Sequence, residues 1–380
     1  MQGALRTTVT AAALLLVVAA PATTHAQARS TRSATSTSTS FETIAQTAAK
    51  AREARRLDEA IAAYRQTVRL RPEWDEGWWY LATSLYEKGE DKAAREAFTR
   101  FLTLKPDTAA AFALRGLCEF RLQRYDEALV DLHKAHALGI KGNPELRRET
   151  WYHAAILLIR RGQFELAVEP LMLLARSESE NALLVQATGL MMLRQPYLPA
   201  EIPADKRELV TAAGQAGFSW LSRNGAEAEK RFRPLVDRYG DVPHVHYAYG
   251  VFLLKSDSDA ALSEFKREIE INPYSPYPHL EIAFELLRRG DPAAARPSAE
   301  RAVTIAPDLF SARNALGRVL VAIGELHAGI LQLETAVKLA PEVPEMHFSL
   351  ANAYARAGRT ADAAREREIF QKLNSVNQIR

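Results

Sequence analysis

One column of small residues constrains this chain more than any other feature. Ala60, Ala94, Ala128, Ala167, Ala228, Ala261, Ala295, Gly329 and Ala363 follow one another at intervals of 34, 34, 39, 61, 33, 34, 34 and 34. Five of the eight spacings are identical, and two other columns keep the same step: Pro72 and Pro106, then Pro273, Pro307 and Pro341, and Gly290, Gly324 and Gly358. A fixed period of this length marks stacked supersecondary units, each too small to bury its own apolar face. Units starting at 41, 75, 109, 148, 209, 243, 276, 310 and 344 cover residues 41 to 377, with a short insertion at 140–144 and a longer interruption after 181.

Within a unit the apolar spacing is helical. One unit reads Trp78-x2-Leu81-Ala82-x2-Leu85, then Gly89, then Ala94-x3-Phe98, then Pro106. The skeleton returns as His246-x2-Tyr249-Gly250-x2-Leu253 with Ala261-x3-Phe265 and Pro273, and as Arg313-x2-Leu316-Gly317-x2-Leu320 with Gly324, Gly329-x3-Leu333 and Pro341. The small residues let two helices approach, and the large ones fill the space between units. Glycine supplies a left-handed helix end. Asp58-Glu59 and Asp126-Glu127 suit the positive end of a second helix, and proline stops that helix because it has no N–H to donate. These columns resemble the tetratricopeptide repeat, in an exported bacterial form. The resemblance implies an all-α fold, an α-α superhelix (solenoid) of about nine helix-turn-helix units plus one extra helix.

The ends and the interruption set the expected domain organisation. Residues 1–28 have the layout of a secretory signal peptide: Arg6, an apolar run from Val9 to Ala20 broken by Pro21, and the small residues of Ala26-Gln27-Ala28. The run falls short of the ~20 residues needed to span a bilayer. Cleavage after Ala28 or Ala26 would leave a periplasmic or secreted chain with no transmembrane anchor. Residues 29–40 are Ser/Thr-rich and read as a flexible linker. Residues 41–181 form an N-terminal block of four units and 209–380 a C-terminal block of five. Between them, 182–208 reads as a half-repeat helix lacking its partner, followed by a crossing loop in which Pro196, Pro199 and Pro203 forbid a regular helix.

Nothing in the sequence points to chemistry. The single cysteine, Cys118, excludes an intramolecular disulfide and multi-cysteine metal sites, and its place on a packing face reads as a buried, inert thiol. His246, His279 and His347 occupy the repeat position held elsewhere by Trp78, Phe112 and Trp151, so they are packing residues and not a converging site. His133 and His136 share a helix face but have no carboxylate at metal-site spacing. No phosphate-binding or dinucleotide-binding loop and no nucleophile elbow is present. The chain reads as non-catalytic, with no cofactor and no metal. The net charge of +3 is small for 380 residues and the basic residues are dispersed, which argues against nucleic acid. No small-molecule ligand is expected.

What remains is a surface for a protein or peptide partner. The resemblance implies that the first helix of each unit lines a concave groove. Trp78, Leu81, Ala82 and Leu85 define the packing stripe, and Trp79, Thr83 and Tyr86 lie roughly 115° from it on a helical wheel. The same offsets in the other units give Phe120, then Tyr152 and Ile156, then Tyr247, then Phe284, then Asn314 and Arg318, then Asn352. This lining is mostly apolar and aromatic and lacks the Lys/Asn/Arg pattern of relatives that clamp a C-terminal carboxylate. It suits an amphipathic helix or an extended apolar segment, with Trp79, Tyr86, Phe120 and Tyr152 as anchors. The leading expectation is an exported scaffold for envelope or secretion-complex assembly. The competing one is a glycan- or peptidoglycan-binding repeat protein.

Overall fold

The computed structural model describes residues 32–378, with side chains from 40 to 374. The expected signal peptide lies outside the described residues. Those described form nineteen α-helices and no strand. The helices pair in chain order as α1 (Arg32–Glu53) with α2 (Leu57–Leu70), α3 (Asp75–Lys88) with α4 (Asp91–Leu104), and α5 (Ala109–Arg121) with α6 (Tyr125–Leu138). Next come α7 (Pro144–Arg160) and α8 (Phe164–Ser177), then α9 (Ala182–Met192) and α10 (Arg207–Leu221) with α11 (Gly225–Tyr239). The remainder are α12 (Val245–Leu253) with α13 (Ser258–Ile271), α14 (Tyr277–Arg288) with α15 (Pro292–Ile305), α16 (Phe310–Ala322) with α17 (Leu326–Leu339), and α18 (Pro344–Arg356) with α19 (Thr360–Gln378). This is the all-α solenoid that the period implies: nine hairpins and one additional helix.

Internal contacts divide the chain into two compact units, meeting between His153 and Ala154 inside α7. The half-repeat and the proline-rich crossing both fall within the second unit.

The repeat columns have plain local causes. In eight of the nine hairpins the chain turns between the two helices through a left-handed residue, the α12–α13 turn being the exception: Gly89, Gly162, Gly290, Gly324 and Gly358 have φ between 72° and 93°. Where glycine is missing, Arg55, Gln123 and Arg223 are held at φ of 55°, 60° and 66°, so the turn geometry outranks the side chain's preference. Proline stands two residues past the ends of α2, α4, α13, α15 and α17. Its carbonyl is then used by the next unit. Trp78 Nε1 donates to the Pro72 carbonyl at 2.9 Å, Arg313 Nε to Pro307 at 2.7 Å, and His347 Nε2 to Pro341 at 2.8 Å. At these three units the column supplies an N–H donor that ties the first helix to the end of the helix before it. Its members also reach their own hairpin partner, as His246 does with the Glu264 carboxylate at 2.5 Å and Arg313 with Gln332 at 2.8 Å.

Two expectations need revision. Helix α1 begins at Arg32 and not at 41, so the stretch read as a flexible linker continues the first helix from 32 onward. The seed is packing downstream, where Phe41, Ala48 and Ala51 are buried, and a helix nucleated there extends cheaply toward its N-terminus. Helix α9 does not lack a partner. Eight of its eleven residues are buried, and it lies against α10 through glycines. A Cβ on Gly189 would sit 2.0 Å from the Val210 carbonyl oxygen, and one on Gly214 would sit 1.9 Å from that of Val185. The α10 helix thus has α9 on one side and α11 on the other. The following segment is an ordered crossing: Leu198 and Ile202 are buried, and the Glu201 carboxylate accepts from Leu198 N at 2.9 Å and pairs with Arg160.

Candidate functional site

In the first unit, three of the aromatic anchors converge on polar groups that the wheel did not include. Tyr86, near the end of α3, accepts a hydrogen bond from Arg121 Nη2 at 2.8 Å, and that guanidinium lies 4.3 Å from the Tyr86 ring centre. Arg121 closes α5 and also reaches Asp91 at 3.2 Å. One residue earlier, Phe120 meets the edge of His153 on α7 at 4.5 Å, and Tyr152 meets the same imidazole at 5.4 Å. His153 Nδ1 donates to the Glu149 carbonyl at 2.8 Å. Burial sets the protonation here. It pushes His153 down to about 4, so the ring is neutral, and it raises the Tyr86 and Tyr152 phenols and the Glu149 carboxyl. The result is one ring, Tyr86, against a guanidinium and two, Phe120 and Tyr152, against a neutral imidazole.

The other two first-unit positions serve the fold. Trp79 is half-buried against the rings of Phe98 and Phe101 on α4, at 6.0 and 5.3 Å. Thr83 is 6% exposed, and its hydroxyl donates to the Trp79 carbonyl of its own helix at 3.0 Å.

The second unit holds a denser cluster. Tyr247 on α12 is 8% exposed, and its hydroxyl accepts from Arg194 Nη2 at 2.8 Å and donates to Glu281 on α14 at 3.3 Å. The Arg194 guanidinium lies 3.2 Å from the centre of the Tyr277 ring, 4.8 Å from that of Tyr247 and 5.6 Å from that of Phe164. Arg194 follows α9 with a left-handed backbone, φ 50°, which turns its side chain out of the helix line. Glu165, at the start of α8, accepts from the Ser311 hydroxyl on α16 at 3.1 Å across 146 residues of sequence. Burial raises Glu281 to about 7 and raises Glu165 as well, each against the lowering effect of Arg194. His244 is pushed down to about 4, by burial first and by Arg194 second.

Of the remaining expected residues in this unit, Ile156 is 3% exposed and belongs to the core. Phe284 is half-buried with the Arg318 guanidinium 5.3 Å from its ring centre. Asn314 is 4% exposed and its Oδ1 is buried without a hydrogen-bond partner. Asn352 is exposed on α18.

The sequence reading missed Arg121, His153, Arg194, Glu165, Tyr277, Glu281 and Ser311. A signal for three of them was present. In α14 the inward face runs Tyr277, Glu281, Phe284, and in α16 it runs Ser311, Asn314, Arg318, each beginning one position or more before the offset taken from the unit at Trp78. Arg194 carried none, because it sits outside the repeat. The arrangement offers carboxyls, guanidinium groups and aromatic faces for binding, and the histidine nearest each cluster is neutral, His153 with its Nδ1 bonded to the Glu149 carbonyl and His244 with its Nδ1 buried and without a hydrogen-bond partner. Among the described residues no group of three or more His, Cys, Asp or Glu is placed to hold a metal ion.

A family model described as tetratricopeptide repeat matches residues 48–107, 92–143 and 314–366. No curated protein matches. Among solved structures, MamA residues 41 to the end from Desulfovibrio magneticus RS-1 is 22% identical with a TM-score of 0.38, over 45% of this chain and 96% of that one. A MamA RS-1 double mutant is 20% identical with a TM-score of 0.39, over 45% and 96%. Yeast Tom70 is 14% identical with a TM-score of 0.35, over 88% and 85%. The fold assignment rests on the family match and the observed hairpins, not on these distant likenesses.

Proposed function

Because the chain is a tetratricopeptide repeat protein, the architecture of a protein-interaction scaffold, we propose that it is an exported, non-catalytic one that holds a partner segment against the first helices of its repeats. The observation that carries this is that successive first helices each present a half-buried aromatic ring: Tyr86 from α3, Phe120 from α5 and Tyr152 from α7. Rings of this kind lose little entropy on binding and bury much area, which is the composition of interface hot spots. Export is supported by the signal layout of residues 1–28, and the place of work that follows is the envelope or the medium. The polar groups under the rings narrow the ligand: a wholly apolar segment would leave Arg121 without new contacts, so an amphipathic segment fits better.

The test is capture from the exporting cell with the protein purified from its own host, comparing the native chain with a Phe120→Ala/Tyr152→Ala variant. The expected result is that bound protein drops at least tenfold in the variant, because each truncated anchor costs about 1–2 kcal/mol. N-terminal sequencing of the same sample checks cleavage after Ala28 or Ala26. Equal capture by both forms removes the first-unit surface from consideration, and recovery of glycan with no protein overturns the scaffold reading in favour of the glycan-binding one.

A further inference from the structure

The Glu165 and Glu281 carboxyls stand in the second unit with one neutral hydrogen-bond donor each, the Ser311 hydroxyl at 3.1 Å and the Tyr247 hydroxyl at 3.3 Å. Neither has an ion-pair partner within 4.0 Å among the described residues. Other buried carboxylates have more partners: Asp131 takes a two-pronged contact from Arg115 at 2.6 and 2.7 Å, Glu285 is gripped by Arg288 and Arg289, and Glu268 accepts two backbone N–H groups, from His244 and Tyr247. The contrast is local. The nearest cation, Arg194, is committed to the Tyr277 ring and the Tyr247 hydroxyl. One guanidinium stands against two carboxyls, and burial favours their neutral, protonated forms, a balance that a second cation beside them would tip toward the ionised forms.

A second, separate observation points the same way. Asn314 lies on the same face of α16 as Ser311, its side chain is 4% exposed, and its Oδ1 is an acceptor with no donor. Nε of Arg194 is the converse, a buried donor with no acceptor. An unfilled acceptor on the α16 face that carries Ser311 suits a cationic head on an apolar stem, and an unfilled N–H donor suits a carbonyl close to it. Both belong to a lysine or arginine residue within a polypeptide.

We propose that the cluster of Glu165, Glu281, Tyr277, Ser311 and Asn314 is a seat for one ammonium or guanidinium group, the side-chain head of a Lys or Arg in the partner segment. This deepens the scaffold reading and rests on it: the apolar stem packs on Tyr277 while the head takes the two carboxylates. The elevated carboxyl pKa of Glu281 fits an empty seat, since a bound cation would favour its ionised form and displace its proton. The charges acting on Glu281 are those of Arg194 and Glu165, with the Tyr247 hydroxyl as its hydrogen-bond donor.

The test uses the full chain and three probes: a short helical peptide of leucine and alanine with one central lysine, its norleucine counterpart, and n-butylammonium. The expected result by calorimetry is that the lysine peptide binds about tenfold more tightly than the norleucine peptide. The preference falls below about twofold in Glu165→Gln/Glu281→Gln and is roughly halved on a logarithmic scale in Glu281→Gln alone, with norleucine binding unchanged. The single variant keeps the test open if the double variant loses helicity. Equal binding of the two peptides to the native chain overturns the proposal. If neither peptide binds, the scaffold reading fails, and the seat is judged by n-butylammonium: a rise in melting temperature of the native chain absent from the Glu281→Gln variant supports it, and an equal rise in both overturns it.

Discussion

At the scale of the residue, Glu281 makes stability depend on pH. Its carboxyl is raised from 4.5 to about 7, chiefly by burial, with Arg194 pulling the other way. In the unfolded chain the same group ionises near its ordinary value. Between those two values the folded state holds a proton that the unfolded state has lost, so the stability this group contributes is fully present below about pH 4.5. It is lost as pH rises through 7. The expected loss is on the order of 2 kcal/mol after allowing for partial solvent access. Melting curves at pH 5 and pH 8 check this: the fall across that interval shrinks in Glu281→Gln, and an unchanged fall would place its origin elsewhere. None of this was legible in the sequence. Glu281 is one glutamate among many on a helix surface, and its surroundings depend on Arg194 and Glu165, both far away in the chain. Residues in the repeat columns are the opposite case. Trp78, His246, Arg313 and His347 stood out together by spacing, and the structure explains why such different side chains share a position: all carry an N–H donor, and three of them give it to a proline carbonyl.

At the scale of the element, the helix pair α9 and α10 shows what spacing alone misses. Helix α9 was visible as an apolar run outside the period, and the prolines after it were visible as a crossing. Its partner was not, because the contact is made by the absence of side chains at Gly189 and Gly214 and not by any apolar stripe. Adding one methyl group there forces backbone apart. Gly189→Ala is expected to cost about 3 kcal/mol in urea unfolding, while Gly225→Ala, with open space around its Cβ position, is neutral or slightly stabilising because alanine favours a helix. A cost below 1 kcal/mol for Gly189→Ala would mean the two helices can separate freely. The groove helices gave a mixed result for a related reason. Offsets carried from one unit picked out Tyr86, which stands against Arg121, and Phe120 and Tyr152, which stand against His153, but assumed that every hairpin presents the same register. In α14 and α16 the inward face starts earlier, so Tyr277, Glu281 and Ser311 were overlooked while Ile156 and Thr83, which are buried, were included.

At the scale of the whole molecule, each hairpin is stabilised mainly by its neighbours, as expected for a quasi-linear array. The last hairpin illustrates the dependence. Leu350, Ala353, Tyr354 and Ala363 cover Val321, Ile330 and Leu333 of the hairpin before it. Ending the chain after Leu339 strips that cover, and the expected outcome is a melting temperature lower by several degrees together with association on size-exclusion chromatography. An unchanged melting temperature would show that the terminal hairpin is dispensable. The period made this nearest-neighbour logic readable from sequence, whereas the position of the boundary inside α7 was not, since no composition change marks it. One last consequence concerns Cys118. The thiol is fully buried and raised by burial to about 12. With no other cysteine in the chain, the folded protein is silent toward alkylating reagents, so a probe cysteine placed at the exposed Tyr274 could be labelled alone on an otherwise native background.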